Sequence, residues 1–326
     1  MRRRHFITLI GGAAAGWPLA ARAQQAAMPV IGFLHGASSE GYNPMVTSFR
    51  QGLKETGYDD GHNVAIEFRW AEGQYDRLPA MAADLVRRQV AVIVTGGTPA
   101  ALAAKAATST IPTVIIVGGD PVQLGLVESL NRPGGNVTGL AVLTVELEAK
   151  KLELLHELLP TATAIALLVN PTNVLTESET KGVQDAARSL GLHLHVLNAS
   201  TESQIDAAFG ALVELRASAL IVSVDTFLNN SRGQIVALAG RYAVPAVYGV
   251  RDFVTAGGLM SYGTDLVDMH RQSGIYAGKI LKGARPADLP IQQVTKVELV
   301  INLTTAKTLG LTFPTTLLGR ADELIE

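Results

Sequence analysis

The chain has 326 residues, of which 48% are hydrophobic and 17% charged, with 27 basic and 29 acidic side chains and no cysteine. The lack of cysteine excludes disulfides, thiolate metal sites, cysteine nucleophiles, iron–sulfur clusters and a lipid-modified cysteine as a membrane tether. The slight excess of acidic residues argues against nucleic acid as a partner and against adhesion to an anionic membrane, because both need a basic surface.

Residues 1–23 have the pattern of an export signal. Arg3 and Arg4 stand directly before apolar residues in the twin-arginine arrangement, an apolar run covers 6–15, and Ala21-Arg22-Ala23 forms a small-x-small cleavage site. The run is too short to span a bilayer, which needs roughly 20 residues. We predict removal of the signal after Ala23, and a disordered N-terminal extension is the alternative.

Cleavage there leaves 303 residues and removes four basic residues but no acidic one, so the net charge becomes −6. No later segment has the roughly 18 continuous apolar residues of a transmembrane helix, so no direct membrane insertion is expected. Without a lipid tether, the protein needs an outer membrane to stay near the cell. We infer a location in the bacterial periplasm.

Apolar strand-like segments alternate with helical patterns in the first half of the mature chain. The helix before the third strand has Leu78, Met81, Ala82 and Leu85 on one face, a spacing near 3.6 residues. Strands are predicted at 30–36, 63–73, 90–97, 112–120 and 137–143, and further helices at 43–56, 99–107 and 121–130.

The alternation restarts at residue 145. Helices are predicted at 145–159, 176–190, 202–216, 229–242 and 265–282, with strands at 164–170, 193–199, 219–225, 244–249, 257–263 and 297–303. Nearly continuous Val, Ile and Leu strands between helices are typical of parallel sheets covered on both faces. We predict an α/β fold with two such sheets in two domains, which the mature length also favours.

The predicted ligand site lies beyond the carboxyl ends of the strands, where open parallel sheets bind their ligands. Small residues let backbone N–H groups approach an anion, hydroxyls add donors, carboxylates accept from ammonium, and tyrosines pack on an apolar or aromatic side chain. The candidate residues are Ser38, Ser39, Gly97, Thr98, Asp120, Asn170, Asp225, Thr226, Tyr248 and Tyr262. They favour a small-molecule solute, namely an amino acid or a related small carboxylate.

Several of these residues have a structural alternative. Asp120 can cap the helix predicted to start at Pro121, the Gly-Gly pairs can be tight turns between strand and helix, and Tyr262 can be ordinary packing. Their joint position on facing strand ends favours the binding interpretation.

The sequence lacks the motifs of catalysis. It has no G-x-S-x-G elbow, no H-E-x-x-H helix and no complete phosphate-binding loop. His193 and His195 can share a strand face, but no third metal ligand stands near them, and Glu67 and Glu72 are expected to be exposed. We therefore expect no enzyme, no metal and no cofactor.

Four segments carry a resemblance that covers essentially the whole mature chain. They are FRQGLKETGYDDGHNVAIEFRWAEG (49–73), DPVQLGLVESLNRPGGNVTGL (120–140), KLELLHELLP (151–160) and VELVINLTTAKTLGL (297–311). The sequence resembles the type I periplasmic substrate-binding proteins of ABC transporters, within the subfamily of tryptophan and tyrosine binders. HGASSE, after the first strand, differs from what aromatic binders often carry there, which leaves the ligand open.

The resemblance implies two Rossmann-like lobes that close on ligand about a hinge of three crossovers. Lobe 1 would be residues 28–142 plus 252–282, lobe 2 would be 143–251 plus 283–320, and 321–326 would be a tail. A monomer would deliver the solute to an ABC permease in the inner membrane. A ligand sensor for a membrane receptor and an exported enzyme on the same scaffold are the alternatives. A transcriptional regulator would need a DNA-binding helix-turn-helix, which does not precede Met28.

Overall fold

A computed structural model describes residues 28–326, so the predicted export signal lies outside the described residues. The strands are β1 (Val30–His35), β2 (Ala65–Trp70), β3 (Val92–Gly96), β4 (Thr113–Gly118), β5 (Val137–Val142), β6 (Ala164–Val169), β7 (His193–Asn198), β8 (Leu220–Val222), β9 (Ala246–Tyr248), β10 (Met260–Gly263), β11 (Gln292–Gln293), β12 (Glu298–Asn302) and β13 (Glu323–Ile325).

Helices connect most of these strands. They are α1 (Asn43–Glu55), α2 (Leu78–Arg87), α3 (Thr98–Ala107), α4 (Thr144–Leu158), α5 (Thr176–Ser189), α6 (Glu202–Glu214), α7 (Thr226–Asn230), α8 (Arg232–Arg241), α9 (Arg251–Thr255), α10 (Leu266–Leu281), α11 (Leu303–Thr308) and α12 (Thr315–Leu318). Within residues 28–326, none of them has both the length and the apolar character needed to cross a bilayer.

The strands form two sheets, and the relative order is the same for β5-β4-β3-β1-β2 in one and β10-β9-β8-β6-β7 in the other. The first sheet has the order β11-β5-β4-β3-β1-β2 and the second β13-β12-β10-β9-β8-β6-β7. Neighbouring strands are parallel except for the pair β10 and β12. The predicted α/β class with two mainly parallel sheets is therefore confirmed. We call each sheet with its covering helices the first lobe and the second lobe.

Each sheet is buried on both faces because its strands are apolar at consecutive positions. In β1, Phe33 packs with Phe49 of α1 and Ala277 of α10, whereas its neighbour Leu34 packs on the opposite face with Leu85 of α2. Successive side chains of a strand point to opposite faces, so a continuous apolar run supplies both helical layers at once.

The chain passes between the sheets three times within the described residues: after β5, after β10 and after β11. Helix α10 packs on α1 in the first lobe, and β12 lies in the second sheet. Three segments differ from the predicted boundaries. Met260–Gly263 belongs to the second sheet because it pairs with β9 and β12, and Gln292–Gln293 belongs to the first because it pairs with β5. Glu323–Ile325, predicted as part of a tail, is strand β13 of the second sheet because it pairs with β12. The remaining lobe boundaries stay predictions.

Two predicted helices differ from those observed. No helix forms at 121–130, where Gly125 adopts a φ of +68° and the chain runs through turns instead. The helix predicted at 229–242 is two helices, because α7 already starts at Thr226, where the Asp225 side chain caps it, and the chain breaks at Ser231. Both errors arise from local turn and cap geometry that apolar periodicity does not report.

Helices α1 and α10 cross at a point where their backbones touch. A Cβ on Gly52 would lie 1.8 Å from the carbonyl oxygen of Arg271, and a Cβ on Gly274 would lie 2.2 Å from that of Phe49. Glycine is therefore required at both positions for the helices to approach this closely.

We predict that Gly52→Ala lowers the free energy of unfolding by about 1–3 kcal/mol, because the added methyl group must push the two helices apart. Gly210→Ala is the matched control: Gly210 lies in α6, and a methyl group added there would have no atom within 4 Å. That change is expected to raise the free energy of unfolding by about 0.5–1 kcal/mol. Urea denaturation measures both, and an equal effect of the two substitutions would contradict the prediction.

Candidate functional site

A cleft separates the carboxyl ends of the two sheets. Its volume is about 770 Å³, including space open to solvent. The first lobe contributes the ends of β1, β3, β4 and β5 and the start of α10, and the second contributes the segments after β6, β8 and β9. Side chains such as Ile116, Leu147, Leu175 and Met269 make much of the wall apolar. Among the described residues that line it, Asp225 is the only carboxylate, lysine or arginine.

Four of the ten predicted site residues line this cavity: Gly97, Thr98, Asp225 and Thr226. Gly97 has a φ of +91° and stands at the start of α3, so the end of β3 presents backbone to the cavity. The Thr98 hydroxyl donates to the carbonyl oxygen of Gly118 (3.2 Å) and accepts from its N–H (3.1 Å). This hydroxyl therefore joins the ends of β3 and β4, and the expected free donor is already engaged.

Asp225 is 3% exposed, and its carboxylate accepts hydrogen bonds from several segments in the second lobe's wall. Oδ1 accepts from the backbone N–H groups of Phe227 (2.9 Å) and Leu228 (3.1 Å) at the start of α7, and from the amide of Asn170 (3.2 Å). Oδ2 accepts from the amide of Asn173 (2.9 Å). Asn170, itself predicted in the site, is buried behind Asp225 and positions it.

Tyr75 of the first lobe reaches the same carboxylate. Its hydroxyl donates to Oδ2 of Asp225 (2.6 Å) and lies 2.5 Å from the hydroxyl of Thr226. Burial and the neighbouring Asp225 charge raise the pKa of Tyr75 well above its usual range, so the phenol keeps its proton. A carboxylate accepts about four hydrogen bonds, and Asp225 therefore has all its positions occupied.

Further contacts close the lobes on each other. The Ser38 hydroxyl donates to the side-chain oxygen of Asn230 (2.5 Å), so this predicted residue joins the lobes. A Cβ on Gly36 would lie 2.7 Å from the Thr226 hydroxyl, and one on Gly97 would lie 3.1 Å from the Thr226 methyl group. The two glycines let the second lobe approach the first directly.

The other predicted residues lie away from the cavity. Ser39 is exposed, and Asp120 accepts from the N–H of Val122 (2.8 Å) in its own turn. Tyr248 is fully buried and stacks on Phe253 with ring centres 4.4 Å apart. Tyr262 packs against the core of the second lobe. For Asp120 and Tyr262, the structure has the local turn and the packing that the structural alternatives described.

Three aromatic residues that line the cavity were not predicted: His35, Tyr42 and His270. His35 ends β1, with its ring centre 4.3 Å from that of Tyr42 and 6.1 Å from that of His270 on α10. A histidine at a strand end was visible in the sequence, but 235 positions separate it from its partner. Their proximity follows from the packing of α10 on the first sheet, which no local pattern reports.

The two imidazoles are buried and uncharged near neutral pH. Burial lowers the pKa of His35 well below its ordinary value, and it lowers that of His270 to about 4. The N–H of Ala37 donates to Nδ1 of His35 (3.0 Å), so the proton of the neutral ring is on Nε2. In His270, Nδ1 lies 2.7 Å from the carbonyl oxygen of Leu266 and must donate, which leaves Nε2 as an acceptor.

A buried charged cluster supports the wall from behind. The ammonium of Lys151 donates to Oε1 of Glu148 (2.7 Å) and to the carbonyl oxygen of Val222 (3.0 Å), and the N–H of Val224 approaches Oε1 of Glu148 (3.3 Å). Burial and the Glu148 charge raise the pKa of nearby Glu179 to about 8. These contacts fix the backbone between β8 and Asp225.

Known proteins share both the sequence pattern and the two-lobed geometry. The sequence pattern of a family described as ABC transporter substrate binding protein matches residues 30–325. The chain belongs to this family. The substrate-binding protein is also 30% identical to the "Tyrosine-binding protein" of Clostridioides difficile (strain R20291) over 264 residues, which is 81% of this chain and 75% of the relative.

Solved structures of similar proteins match this chain to different degrees. The substrate-binding protein is similar to an "ABC domain in complex with L-Trp" from Streptococcus pneumoniae (27% identity, 91% and 99% of the two chains, TM-score 0.83). It is also similar to a conserved domain protein from Vibrio cholerae (28% identity, same coverage, TM-score 0.84). A "ligand-free, open structure" of a substrate-binding protein from Clostridium difficile matches with a TM-score of 0.63 (25% identity, same coverage). The arrangement of lobes is therefore nearer to the tryptophan-bound protein than to the open one, which agrees with the direct contacts between them.

No cluster of three or more His, Cys, Asp or Glu side chains that could hold a metal ion occurs within residues 28–326.

We predict that His270 makes the substrate-binding protein less stable in acid. The unfolded chain binds the proton near pH 6.5, whereas the folded chain binds it only near pH 4, so stability is lost as the pH falls from 6.5 towards 4. Urea denaturation at pH 7.5 and at pH 5 measures the loss, which we expect to be about 2 kcal/mol smaller in His270→Asn than in wild type. His193→Asn, at an exposed edge-strand position, is the control and should leave the loss unchanged.

We predict that Tyr75→Phe weakens ligand binding because it removes a bond that joins the lobes only when they are closed. A hydrogen bond to a charged group contributes about 1.5–3 kcal/mol, so the Kd should rise about tenfold to hundredfold. Titration calorimetry with a ligand that the wild-type protein binds measures the change in Kd. Tyr276→Phe is the matched control, since its hydroxyl donates to the carbonyl oxygen of Pro290 within the first lobe. Equal affinities of the two variants would exclude the Tyr75 contact as a determinant of closure.

Proposed function

We propose that this protein is the periplasmic solute-binding component of an ABC importer, which captures a small solute between its lobes and delivers it to a permease in the inner membrane. Family membership supports the transport role. The export signal predicted in residues 1–23 and the absence of cysteine support the periplasmic location. The observation that carries the proposal is the cleft between two lobes in direct contact, at the strand ends of both sheets.

The proposed solute is an amino acid with an aromatic side chain, or a related aromatic carboxylate. The tyrosine-binding relative and the structure with bound L-Trp support this class. The cavity supports it as well, because apolar side chains such as Val142, Leu175 and Leu266 form much of its wall. A ligand buried here must offer a large apolar surface to compensate for the loss of its hydration.

The carboxylate of the solute would bind at the start of α3. Within the described part of the chain, no lysine or arginine lines the cavity, so neutral donors must serve. The first N–H groups of a helix lack partners within the helix and carry its positive dipole end, which suits an anion. The N–H of Gly97 already donates to the carbonyl oxygen of Ile116 and Pro99 has no N–H, so the proposed donor is the N–H of Thr98 rather than its hydroxyl.

The ammonium group of an amino acid would bind beside Asp225. The donors that reach this carboxylate are neutral amides, N–H groups and a phenol, so they satisfy its lone pairs without cancelling its charge. A cation nearby therefore gains Coulomb energy in a low-dielectric cavity. Of the two acidic residues expected to take this role, Asp120 lies outside the cavity, and the proposal assigns the role to Asp225.

Binding and closure are linked in this mechanism. The solute would first contact the first lobe, and the second lobe would then complete the cavity while Tyr75 reaches Asp225. A solute shifts the population towards the closed form only by as much as it binds that form more tightly. The closed form is the one proposed to dock to the permease.

A thermal-shift and calorimetry panel tests the proposal. The panel contains L-tryptophan, L-tyrosine, L-phenylalanine, 3-phenylpropionate, glucose and adenosine. Ligand at 100 times its Kd stabilises the fold by about 2.7 kcal/mol, which raises the melting temperature measurably. Binding of an aromatic amino acid or carboxylate supports the proposal. Binding of glucose or adenosine alone would overturn the proposed solute class.

We predict that Asp225→Asn lowers the affinity for an aromatic amino acid at least tenfold, since it removes the charge that attracts the ammonium group. The affinity for 3-phenylpropionate, which lacks the amine, should change much less. Calorimetry with the two ligands measures the difference, and Asp120→Asn serves as the control at the other predicted acid. An equal loss for both ligands would show that Asp225 acts on closure and not on the amine.

A further inference from the structure

One end of the cavity, in the first lobe, carries hydrogen-bonding groups that play no part in the proposed binding of the carboxylate and the amine. Two buried imidazoles lie there, with Nε2 of His35 as a donor and Nε2 of His270 as an acceptor. Both residues line the cavity together with Tyr42. Both rings are neutral near pH 7, so charge does not explain the pair.

The acceptor on His270 has no partner among the described residues. His270 is 2% exposed, and its Nε2 atom makes no hydrogen bond within residues 28–326. A buried polar atom left without a partner costs about 1–3 kcal/mol. The closed protein therefore gains if something in the cavity donates to this atom.

The donor on His35 is held in place by the end of β3. A Cβ on Gly96 would lie 2.2 Å from Nε2 of His35, so the ring packs directly against the backbone of this glycine. On its other side the ring packs against Tyr42. The contacts with Gly96 and Tyr42 and the hydrogen bond from Ala37 fix the orientation of the His35 ring, and Nε2–H is its remaining donor.

One chemical group satisfies both imidazoles. A hydroxyl group accepts from one nitrogen and donates to another, and it spans about 5–6 Å between them. The two rings are neighbours in the wall of the cavity, with centres 6.1 Å apart. An indole N–H can only donate, and a phenyl ring can do neither.

We propose that His35 and His270 are specificity-determining residues that recognise a hydroxyl group on the aromatic ring of the solute, so that the protein selects a phenolic ligand over its phenyl counterpart. This inference rests on the proposed function, since it requires an aromatic solute in the cavity. The ring of the solute lies against Tyr42 and the apolar wall, and its hydroxyl lies between the imidazoles.

The test compares three ligands of similar shape by calorimetry at pH 7.5: L-tyrosine, L-phenylalanine and 4-methyl-L-phenylalanine. The methyl group has nearly the size of a hydroxyl but forms no hydrogen bond, so it separates recognition from filling of space. We expect tyrosine to bind at least tenfold more tightly than both others. Equal binding of tyrosine and phenylalanine would overturn the inference and leave the proposed function intact.

Two variants assign the selectivity to the imidazoles. Asparagine can replace Nδ1 of each histidine, with an N–H towards the carbonyl oxygen of Leu266 in His270→Asn and an oxygen towards the N–H of Ala37 in His35→Asn. Its shorter side chain places no atom where Nε2 lies, so each variant loses the group that is proposed to face the solute. Each should reduce the ratio of the phenylalanine and tyrosine Kd values at least fivefold, mainly through weaker tyrosine binding. Retained phenylalanine binding shows that the variant is folded.

His156→Asn is the matched control, because His156 has a ring nitrogen without a partner among the described residues but does not line the cavity. The ratio of the phenylalanine and tyrosine Kd values in this variant should equal that of wild type. An unchanged ratio in both cavity variants would overturn the assignment, as would a fall of the same size in the control. If no aromatic ligand of any kind binds, the proposed function fails and this inference fails with it.

Discussion

The carboxylate of Asp225 is the point on which the closed arrangement depends. It accepts from the start of α7, from two asparagines that follow β6, and from Tyr75 of the opposite lobe. A single buried side chain thus fixes a helix, a loop and the contact between lobes. The Glu148–Lys151 pair behind it holds the preceding backbone, so the carboxylate is set from two directions. Removing Asp225 would leave several buried donors without an acceptor at once.

The polar groups that line the cavity are few and differ in kind. A carboxylate with uncompensated charge lies on the second lobe, backbone N–H groups lie at the start of α3, and two neutral imidazoles lie near Tyr42. Between these points the wall is apolar. Under the proposed function, this arrangement would suit a flat hydrophobic ligand with polar groups at its ends.

The sequence predicted the fold well because parallel strands leave a strong signal. The apolar runs that became β1, β3 and β6 were located within two residues, and the restart of the pattern separated the two sheets correctly. Strand ends also pointed to Gly97, Thr98, Asp225 and Thr226, which line the cavity. The rule that ligands bind beyond the carboxyl ends of strands identifies one edge of the sheet. It does not tell which side chains at that edge point into the cavity.

The rest of the site could not be predicted for the same reason. Tyr248 ends a strand but faces Phe253 in the core, and Tyr262 packs within the second lobe. His270 lies on a helix and Tyr75 precedes one. Only tertiary packing brings His270 to the cavity and Tyr75 to Asp225. The helix predicted at 121–130 failed where Gly125 turns the chain with a positive φ.

The crossing of α1 and α10 has a consequence for how the protein is made. Helix α10 fills one face of the first sheet, yet it is synthesised only after nearly the whole second lobe. The first lobe therefore exposes the apolar face of β1 and α1 until α10 arrives, which makes its folding slow and non-local. A chain truncated before α10 would leave this apolar face uncovered even though its second sheet is largely complete.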